Sequence, residues 1–180
     1  MRGPGYRCSL FDGRADLPAD SCVLHFFRHG EAVHQVRNAE AEVRGEGCRC
    51  FDAVPGRGRT PYACPYWSED LVDAPLTALG REQAIGRGAA LAVDRVFTSP
   101  TTRTLETSVL AFPPPVAIVA LSDLRPRVGR HMHSKCSPRS LLVPRFPRVD
   151  FARIPDGEDR AWSAETEPRE ALEARAARFL

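Results

Sequence analysis

The stretch CVLHFFRHGE at residues 22–31 decides how the rest of the chain is interpreted. Its first six residues, Cys22–Phe27, are mostly apolar, and such a run predicts a short buried strand. The strand would deliver Arg28, His29 and Gly30 at its carboxyl end. Ligands of open α/β sheets bind at the carboxyl ends of strands. The position of these three residues therefore favours a functional site.

Strand and helix patterns alternate beyond this stretch. They predict a helix capped by Thr77 and running to about Val93, a strand at Arg95–Thr98, a helix that starts at Ser99-Pro100 and stops before Pro113, and a strand at Val116–Leu121. A capping hydroxyl followed by proline is typical of a helix start. The alternation predicts an α/β fold, a three-layer αβα sandwich with a mostly parallel sheet.

The remaining segments complete the predicted domain organisation. Residues 1–21 are interpreted as an irregular N-terminal extension, and residues 22–180 as one domain. Within that domain, residues 37–67 are rich in Gly and Pro and predict a loop insertion, and residues 122–160, rich in Pro and Arg, predict a lid-like loop.

A last helix is predicted from Thr166, with an apolar stripe at Leu172, Ala176, Phe179 and Leu180. The stripe is still running at the last residue. We therefore expect a truncated form of a longer protein, with the C-terminal part of the fold missing.

Composition limits the possible functions. The net charge is +2, with 43% hydrophobic and 27% charged residues. This balance lacks the basic excess of a nucleic-acid-binding protein, and no apolar run approaches membrane-spanning length. The N-terminal residues lack the apolar core of a signal peptide, so we expect a cytoplasmic location without nucleic-acid or membrane partners.

The sequence contains six cysteines, which could be free thiols or metal ligands. Cys48, Cys50 and Cys64 lie in one segment but form no C-x-x-C pair, and His131 and His133 lie far along the chain. Free thiols are therefore favoured over a metal site.

Three motifs occur in order: FRHGE at 27–31, PLTxxGxxQA at 75–84 and TSPxxRxxET at 98–107. Together they resemble the histidine phosphatase superfamily, also called the phosphoglycerate-mutase-like family, and the resemblance is nearest to its fungal, plant and algal branch. It covers residues 22–180. It implies phosphoryl transfer from a phosphomonoester, a phosphorylated small molecule or a phosphoprotein, through a phosphohistidine at His29. No metal or organic cofactor is implied.

The residue types fit this chemistry. A neutral imidazole is a competent nucleophile toward phosphorus, and Arg28 and Arg103 are suited to bind phosphate oxygens bidentately. Glu31, Gln35 and Thr77 are the candidates for further substrate contacts. Alone, Arg28-His29 would more often be a surface turn and Arg103 a solvated helix face. Only the conjunction of motifs favours catalysis.

The chain departs from the family pattern in four places. Gln35 replaces an Asn, and Pro126 stands where a general acid is expected, with Asp123 and Asp156 as the nearest carboxylates. No histidine follows His133, so the family's second histidine is missing, and the insertion at 37–67 is long. A non-catalytic phosphate-binding protein, or a mutase-type isomerase in the full-length form, therefore remain alternatives to the phosphatase.

Overall fold

A computed structural model describes residues 22–48, 50, 64–88 and 91–179. The predicted N-terminal extension and the middle of the predicted insertion, residues 51–63, lie outside this part. Within it, the protein is a mixed α/β structure built on a three-stranded parallel sheet. None of the helices described is long and apolar enough to cross a lipid bilayer.

The sheet has the order β1-β2-β3, with strands at Arg95–Thr98, Ala117–Ala120 and Val149–Asp150. Ile118 in β2 stands opposite Val96 in β1 and Val149 in β3. The first two strands confirm those predicted at these positions. The third was not predicted, because it is two residues long and lies within the segment interpreted as a lid.

Helices lie on both faces of this sheet. They are α1 (Val33–Val43), α2 (Ala78–Gly88), α3 (Thr102–Ala111), α4 (Arg139–Leu142) and α5 (Arg169–Phe179). On one face, α3 packs against β2, where buried Leu105 joins Ile118 in the core. On the other, Phe179 of α5 meets Phe97 of β1 edge-on, with 5.9 Å between ring centres. This arrangement agrees with the predicted layering.

The strand predicted at Cys22–Phe27 is wrong. This segment has no strand hydrogen bonding to any described residue, and Phe26 is 84% exposed. Phe27 alone finds an aromatic neighbour, packing edge-on against Phe112 at 5.8 Å. An apolar run becomes a strand only where a neighbouring strand accepts its backbone hydrogen bonds, and local pattern does not supply that neighbour.

The loop insertion predicted at 37–67 is wrong in its first part, because α1 continues to Val43. Its sequence from Asn38 onward is rich in Ala and Glu, which are strong helix formers. The helix ends before Gly45, whose φ of +74° is a conformation that favours glycine. The Gly and Pro residues that motivated the prediction come only after this point.

The segment 122–160, predicted as a lid-like loop, has little regular structure, but it supplies much of the hydrophobic core. Its buried members are Leu142, Phe146, Val149, Phe151 and Ile154, which pack with Leu105, Ile118 and Ala120. Apolar residues at irregular spacing give no helix or strand period, so the sequence did not reveal that they are buried.

Of the two predicted helix starts, the one at Thr77 is confirmed and the one at Ser99-Pro100 is displaced. The Thr77 hydroxyl accepts a hydrogen bond from the Gly80 amide (3.0 Å), which confirms Thr77 as the cap of α2. Helix α3 starts at Thr102, later than Ser99-Pro100 predicted. Its cap comes from Asp73, whose carboxylate accepts from the Thr102 amide and hydroxyl, both at 2.7 Å. A carboxylate satisfies the unpaired amides of a helix start and complements its dipole.

The apolar stripe predicted for the last helix is only partly covered by the described residues. Leu172 and Phe179 are half-buried, Ala176 is exposed, and Leu180 lies outside the described residues. The buried residue of α5 is Arg175, which donates to the carbonyl groups of Asp123 and Arg125, each at 2.7 Å. Polar contacts therefore anchor this helix.

Candidate active site

His29 is half-buried, and one of its two ring nitrogens takes part in a hydrogen bond. Its Nδ1 is 2.7 Å from the carbonyl oxygen of Gly30. Because a carbonyl oxygen only accepts, Nδ1 carries the proton and Nε2 carries the lone pair. Burial lowers the pKa of His29 to about 4, and the charges of Arg103 and Arg28 act in the same direction. The ring is therefore neutral near pH 7, the form required of a nucleophile.

The backbone around His29 is held by the second motif. Ala32 and Leu76 form an isolated antiparallel bridge, and the Thr77 amide donates to the Glu31 carbonyl at 3.0 Å. A Cβ at Gly30 would overlap the Gly80 carbonyl, and one at Gly80 would overlap the backbone of Glu31. Both motifs need glycine because their backbones touch at this point.

Arg103 carries a buried positive charge without an ion pair to any described residue. It is 2% exposed, and its Nη1 donates to the His133 carbonyl at 2.8 Å, whereas its Nε has no hydrogen-bond partner in the described part of the chain. The nearby carboxylate of Asp73 is committed to Thr102 and to the Ser137 amide. A buried guanidinium in this state is suited to bind an anion.

Arg28 and His29 line an open cleft of about 550 Å³. Gln35 and Glu31 line it as well, with Arg87 on the opposite wall from α2. Arg28 is exposed, in contrast to Arg103. Arg103 does not line this cleft and acts on His29 through its charge. The two predicted phosphate-binding arginines thus stand at different depths.

Two histidines that were not predicted as site residues lie beside His29. His34 of α1 is 6.1 Å from His29 between ring centres, and His133 stacks on His34 at 4.3 Å. Tyr66 meets the His133 ring at 4.6 Å. Burial lowers the pKa of His34 to about 2 and that of His133 to about 3, so both are neutral. Their Nδ1 atoms are buried without a partner in the described part of the chain.

The signal for these histidines was weak in the sequence. His34 follows His29 by five positions and belongs to the same motif region, which offered a hint. His133 belongs to none of the three motifs, so the sequence did not indicate it. The Arg103 contact to its carbonyl brings it to the site, across 30 positions.

Glu31, Gln35 and Thr77 all serve the local backbone in this structure. The Thr77 hydroxyl donates to the Glu31 carboxylate at 2.7 Å, and Gln35 Oε1 accepts from the Ala32 amide at 3.0 Å, capping α1. Gln83 Oε1 accepts from the Glu31 amide at 2.9 Å. Their substrate contacts stay predictions, and these bonds give each a structural role in addition.

The two carboxylates suggested as proton donors lie elsewhere. Asp123 accepts from Arg178 at 2.9 Å, and Asp156 accepts from the Ser140 amide at 2.9 Å. Both line a separate cavity of about 920 Å³, and the cleft of His29 includes neither. The structure therefore does not bring either of them together with His29.

A second cluster lies on the other side of Tyr66. Cys48, Cys50, Cys64 and His131 approach one another so that their ligand atoms all lie within 4.8 Å. Tyr66 meets the His131 ring at 5.1 Å. The prediction that His131 lies too far along the chain to join these cysteines is wrong, because the fold brings it to Cys48 across 83 positions.

No protein-family model and no curated protein sequence matches the chain. Among solved structures, it is similar to the ecdysone phosphate phosphatase, EPPase, from Bombix mori, crystallised in complex with tungstate. The identity is 22% and the TM-score 0.50, over 82% of this chain and 61% of the phosphatase chain. The chain thus spans less than two thirds of the structure it matches. The likeness shows that the protein has a phosphoglycerate-mutase-like α/β fold.

Proposed function

We propose that this protein is a histidine phosphatase that transfers a phosphoryl group from a phosphomonoester to Nε2 of His29. One observation carries the proposal: a neutral His29 with its lone pair on Nε2 lies within the field of Arg103, a buried cation with no ion pair among the described residues. Membership of the superfamily, and of its fungal, plant and algal branch, rests on the three sequence motifs.

The proposed reaction has two steps. The Nε2 lone pair attacks phosphorus, a P–N bond forms, and the P–O bond to the leaving alcohol breaks. Water then attacks the phosphohistidine, which releases inorganic phosphate and restores the imidazole. Arg28 lines the cleft and binds the phosphoryl oxygens, and the buried charge of Arg103 adds a positive field at the same place, so that both stabilise the negative charge that phosphoryl transfer requires to be stabilised.

The leaving oxygen must gain a proton as the P–O bond breaks. Asp123 and Asp156 lie outside the cleft, so in our proposal solvent in the open cleft supplies this proton. A reaction without a positioned acid depends strongly on the leaving group. Aryl phosphates, whose phenolate leaving groups are much weaker bases than alkoxides and can leave before they take up a proton from solvent, should therefore react faster than alkyl phosphates.

The proposal is tested by trapping the intermediate. The chain is incubated with a radiolabelled aryl phosphate, quenched, and analysed for an acid-labile, alkali-stable label. We expect the label in the wild type and in His25→Ala, a control on the same exposed segment, and none in His29→Ala. Equal labelling of His29→Ala would refute the assignment of the nucleophile.

The substrate belongs to the same proposal. The similar structure is named for a phosphatase of ecdysone phosphate, so a steroid phosphate is assayed beside a phosphopeptide and a sugar phosphate. The cleft volume of about 550 Å³ suits a small molecule or one phosphorylated side chain. A preference in kcat/KM for one class identifies the partner.

A non-catalytic phosphate-binding protein is the second candidate. The absence of Asp123 and Asp156 from the cleft favours it, because binding an anion at Arg28, within the field of Arg103, needs no proton donor. Vanadate binding without any label on His29 would identify this function. A mutase needs a further pocket for the rest of a phosphoglycerate, and we assign no residues to one.

A further inference from the structure

The cluster of Cys48, Cys50, Cys64 and His131 offers one ligand atom from each residue. The four atoms lie within 4.8 Å of one another. Cys64 and His131 are buried, and Cys48 and Cys50 are half-buried. Three thiols and one imidazole are a donor set that Zn²⁺ takes in structural sites.

The distances within the cluster agree with a common tetrahedral centre. His131 Nε2 lies 3.6 Å from Cys48 Sγ and 3.9 Å from Cys64 Sγ. With Zn–S bonds of about 2.3 Å and Zn–N bonds of about 2.0–2.1 Å, a tetrahedral ion places sulfur and nitrogen about 3.6 Å apart. Cys48 and Cys64 are therefore spaced from His131 as ligands of one ion would be, and Cys50 Sγ lies within 4.8 Å of the other three ligand atoms.

Neighbouring residues hold the ligands in position. The Asn38 side chain of α1 accepts from the Cys48 amide at 2.8 Å, and Arg130 donates to the Cys50 carbonyl at 3.1 Å. On the histidine side, the Trp162 indole donates to the His131 carbonyl at 3.0 Å. Three thiolates around a divalent ion leave one net negative charge, and the Arg130 cation lies beside it. Such outer contacts are typical of built metal sites.

We propose that Cys48, Cys50, Cys64 and His131 bind one structural Zn²⁺. Four protein ligands close the coordination shell, which leaves no open position for water or substrate. The ion would cross-link the segment after α1 to the turn that contains His131. Binding would release the thiol protons, since thiolates are the ligands.

The proposed ion also supports the active site without taking part in its chemistry. Tyr66 stands between the two clusters, with ring contacts to His131, His133 and His34. His133 follows His131 by two positions on the same turn. Fixing His131 therefore fixes the His133 carbonyl that Arg103 contacts.

The test measures metal and does not depend on activity. The full chain is purified without chelator or added metal, and its metals are quantified by mass spectrometry. We expect one Zn²⁺ per chain. After removal of zinc, Co²⁺ should restore the site with the intense visible bands and the thiolate charge-transfer band of tetrahedral coordination.

Variants identify the ligands. Cys64→Ser and His131→Ala should lower the affinity for Zn²⁺ more than about 100-fold, since changes to outer contacts alone cost about 10–100-fold. The matched controls Cys22→Ser and Cys136→Ser alter cysteines outside the cluster and should bind as the wild type does. If a ligand variant fails to fold, thiol modification of the wild type replaces it. Three of the six cysteines should react only after chelation.

Two outcomes would overturn the proposal. One is a folded wild type that neither contains zinc nor takes up Co²⁺ with thiolate bands. The other is a Cys48–Cys64 disulfide in protein that was kept under reducing conditions, because a disulfide removes two of the ligands. Either result would leave the proposed function of His29 untouched, since labelling of His29 is measured separately.

Discussion

Two buried arginines should respond in opposite directions when their charge is removed. Arg103 is 2% exposed and has a single charged hydrogen bond, to the His133 carbonyl, among the described residues. Arg125 is 8% exposed but is paired with the buried carboxylate of Asp159, with one hydrogen bond of 2.8 Å and a shorter one beside it. Methionine keeps most of the apolar stem of arginine and removes the charge. Arg103→Met and Arg125→Met therefore form a matched pair.

The expected magnitudes follow from the two environments. Burial of an unpaired charge costs several kcal/mol, and the hydrogen bond of Arg103 returns about 1.5–3 kcal/mol. Arg103→Met should then raise the free energy of unfolding by about 1–2 kcal/mol, a rise in Tm of about 2–8 °C. Arg125→Met leaves the Asp159 carboxylate buried without its cation, which should lower the free energy of unfolding by about 3–5 kcal/mol.

The assay is urea unfolding at pH 7 in phosphate-free buffer, repeated with vanadate. An anion bound to the folded state adds about 2.7 kcal/mol at a concentration of one hundred times its Kd. We expect this gain in the wild type and in Arg125→Met, and a smaller gain in Arg103→Met, because Arg28 still lines the cleft but the buried charge of Arg103 is gone. The reasoning is refuted if Arg103→Met is less stable than the wild type and still gains as much from vanadate.

Two further changes probe the backbone contact at Gly80 and the protonation of His29. Gly80→Ala should lower the free energy of unfolding by about 1–3 kcal/mol and slow the labelling of His29, because its Cβ would overlap the backbone of Glu31. Gly86 lies on the same helix, and a Cβ added there would have no atom within 4 Å, so Gly86→Ala should raise the free energy of unfolding by about 0.5–1 kcal/mol. Equal losses of stability for the two variants in urea unfolding would contradict this. The labelling rate of His29 should persist down to pH about 4. Below pH 6.5 His29 binds a proton in the unfolded state, whereas in the folded state it stays neutral down to about pH 4. The free energy of unfolding therefore decreases as the pH is lowered from 6.5 to about 4. His29→Gln should reduce that slope in unfolding curves without abolishing it, because His34 and His133 also have lowered pKa values, and an unchanged slope would contradict the contribution of His29.

Part of the candidate site could be predicted from the sequence. The three motifs predicted that His29 and Arg103 are neighbours, and the structure puts Arg103 close enough for its charge to lower the pKa of His29, although Arg103 does not line the cleft. The same motifs could not distinguish a solvated Arg28 from a buried Arg103. That difference depends on what covers each side chain, and the covering segment around His133 lies 30 positions beyond Arg103.

The sequence by itself determined the local elements of this protein. The strands β1 and β2, the Thr77 cap of α2 and the end of α3 before Pro113 follow from periodicity, capping and proline, which act over a few residues. Only the tertiary structure decided that Asp73 caps α3, that residues 142–154 form a core and that Cys48 meets His131. Residues 22–27 have the sequence pattern of a strand but form none, because no neighbouring strand among the described residues pairs with them. The contacts Asp73–Thr102 and Cys48–His131 join residues that are 29 and 83 positions apart in the sequence. Such contacts depend on burial and shape across the whole fold, which local sequence patterns do not contain.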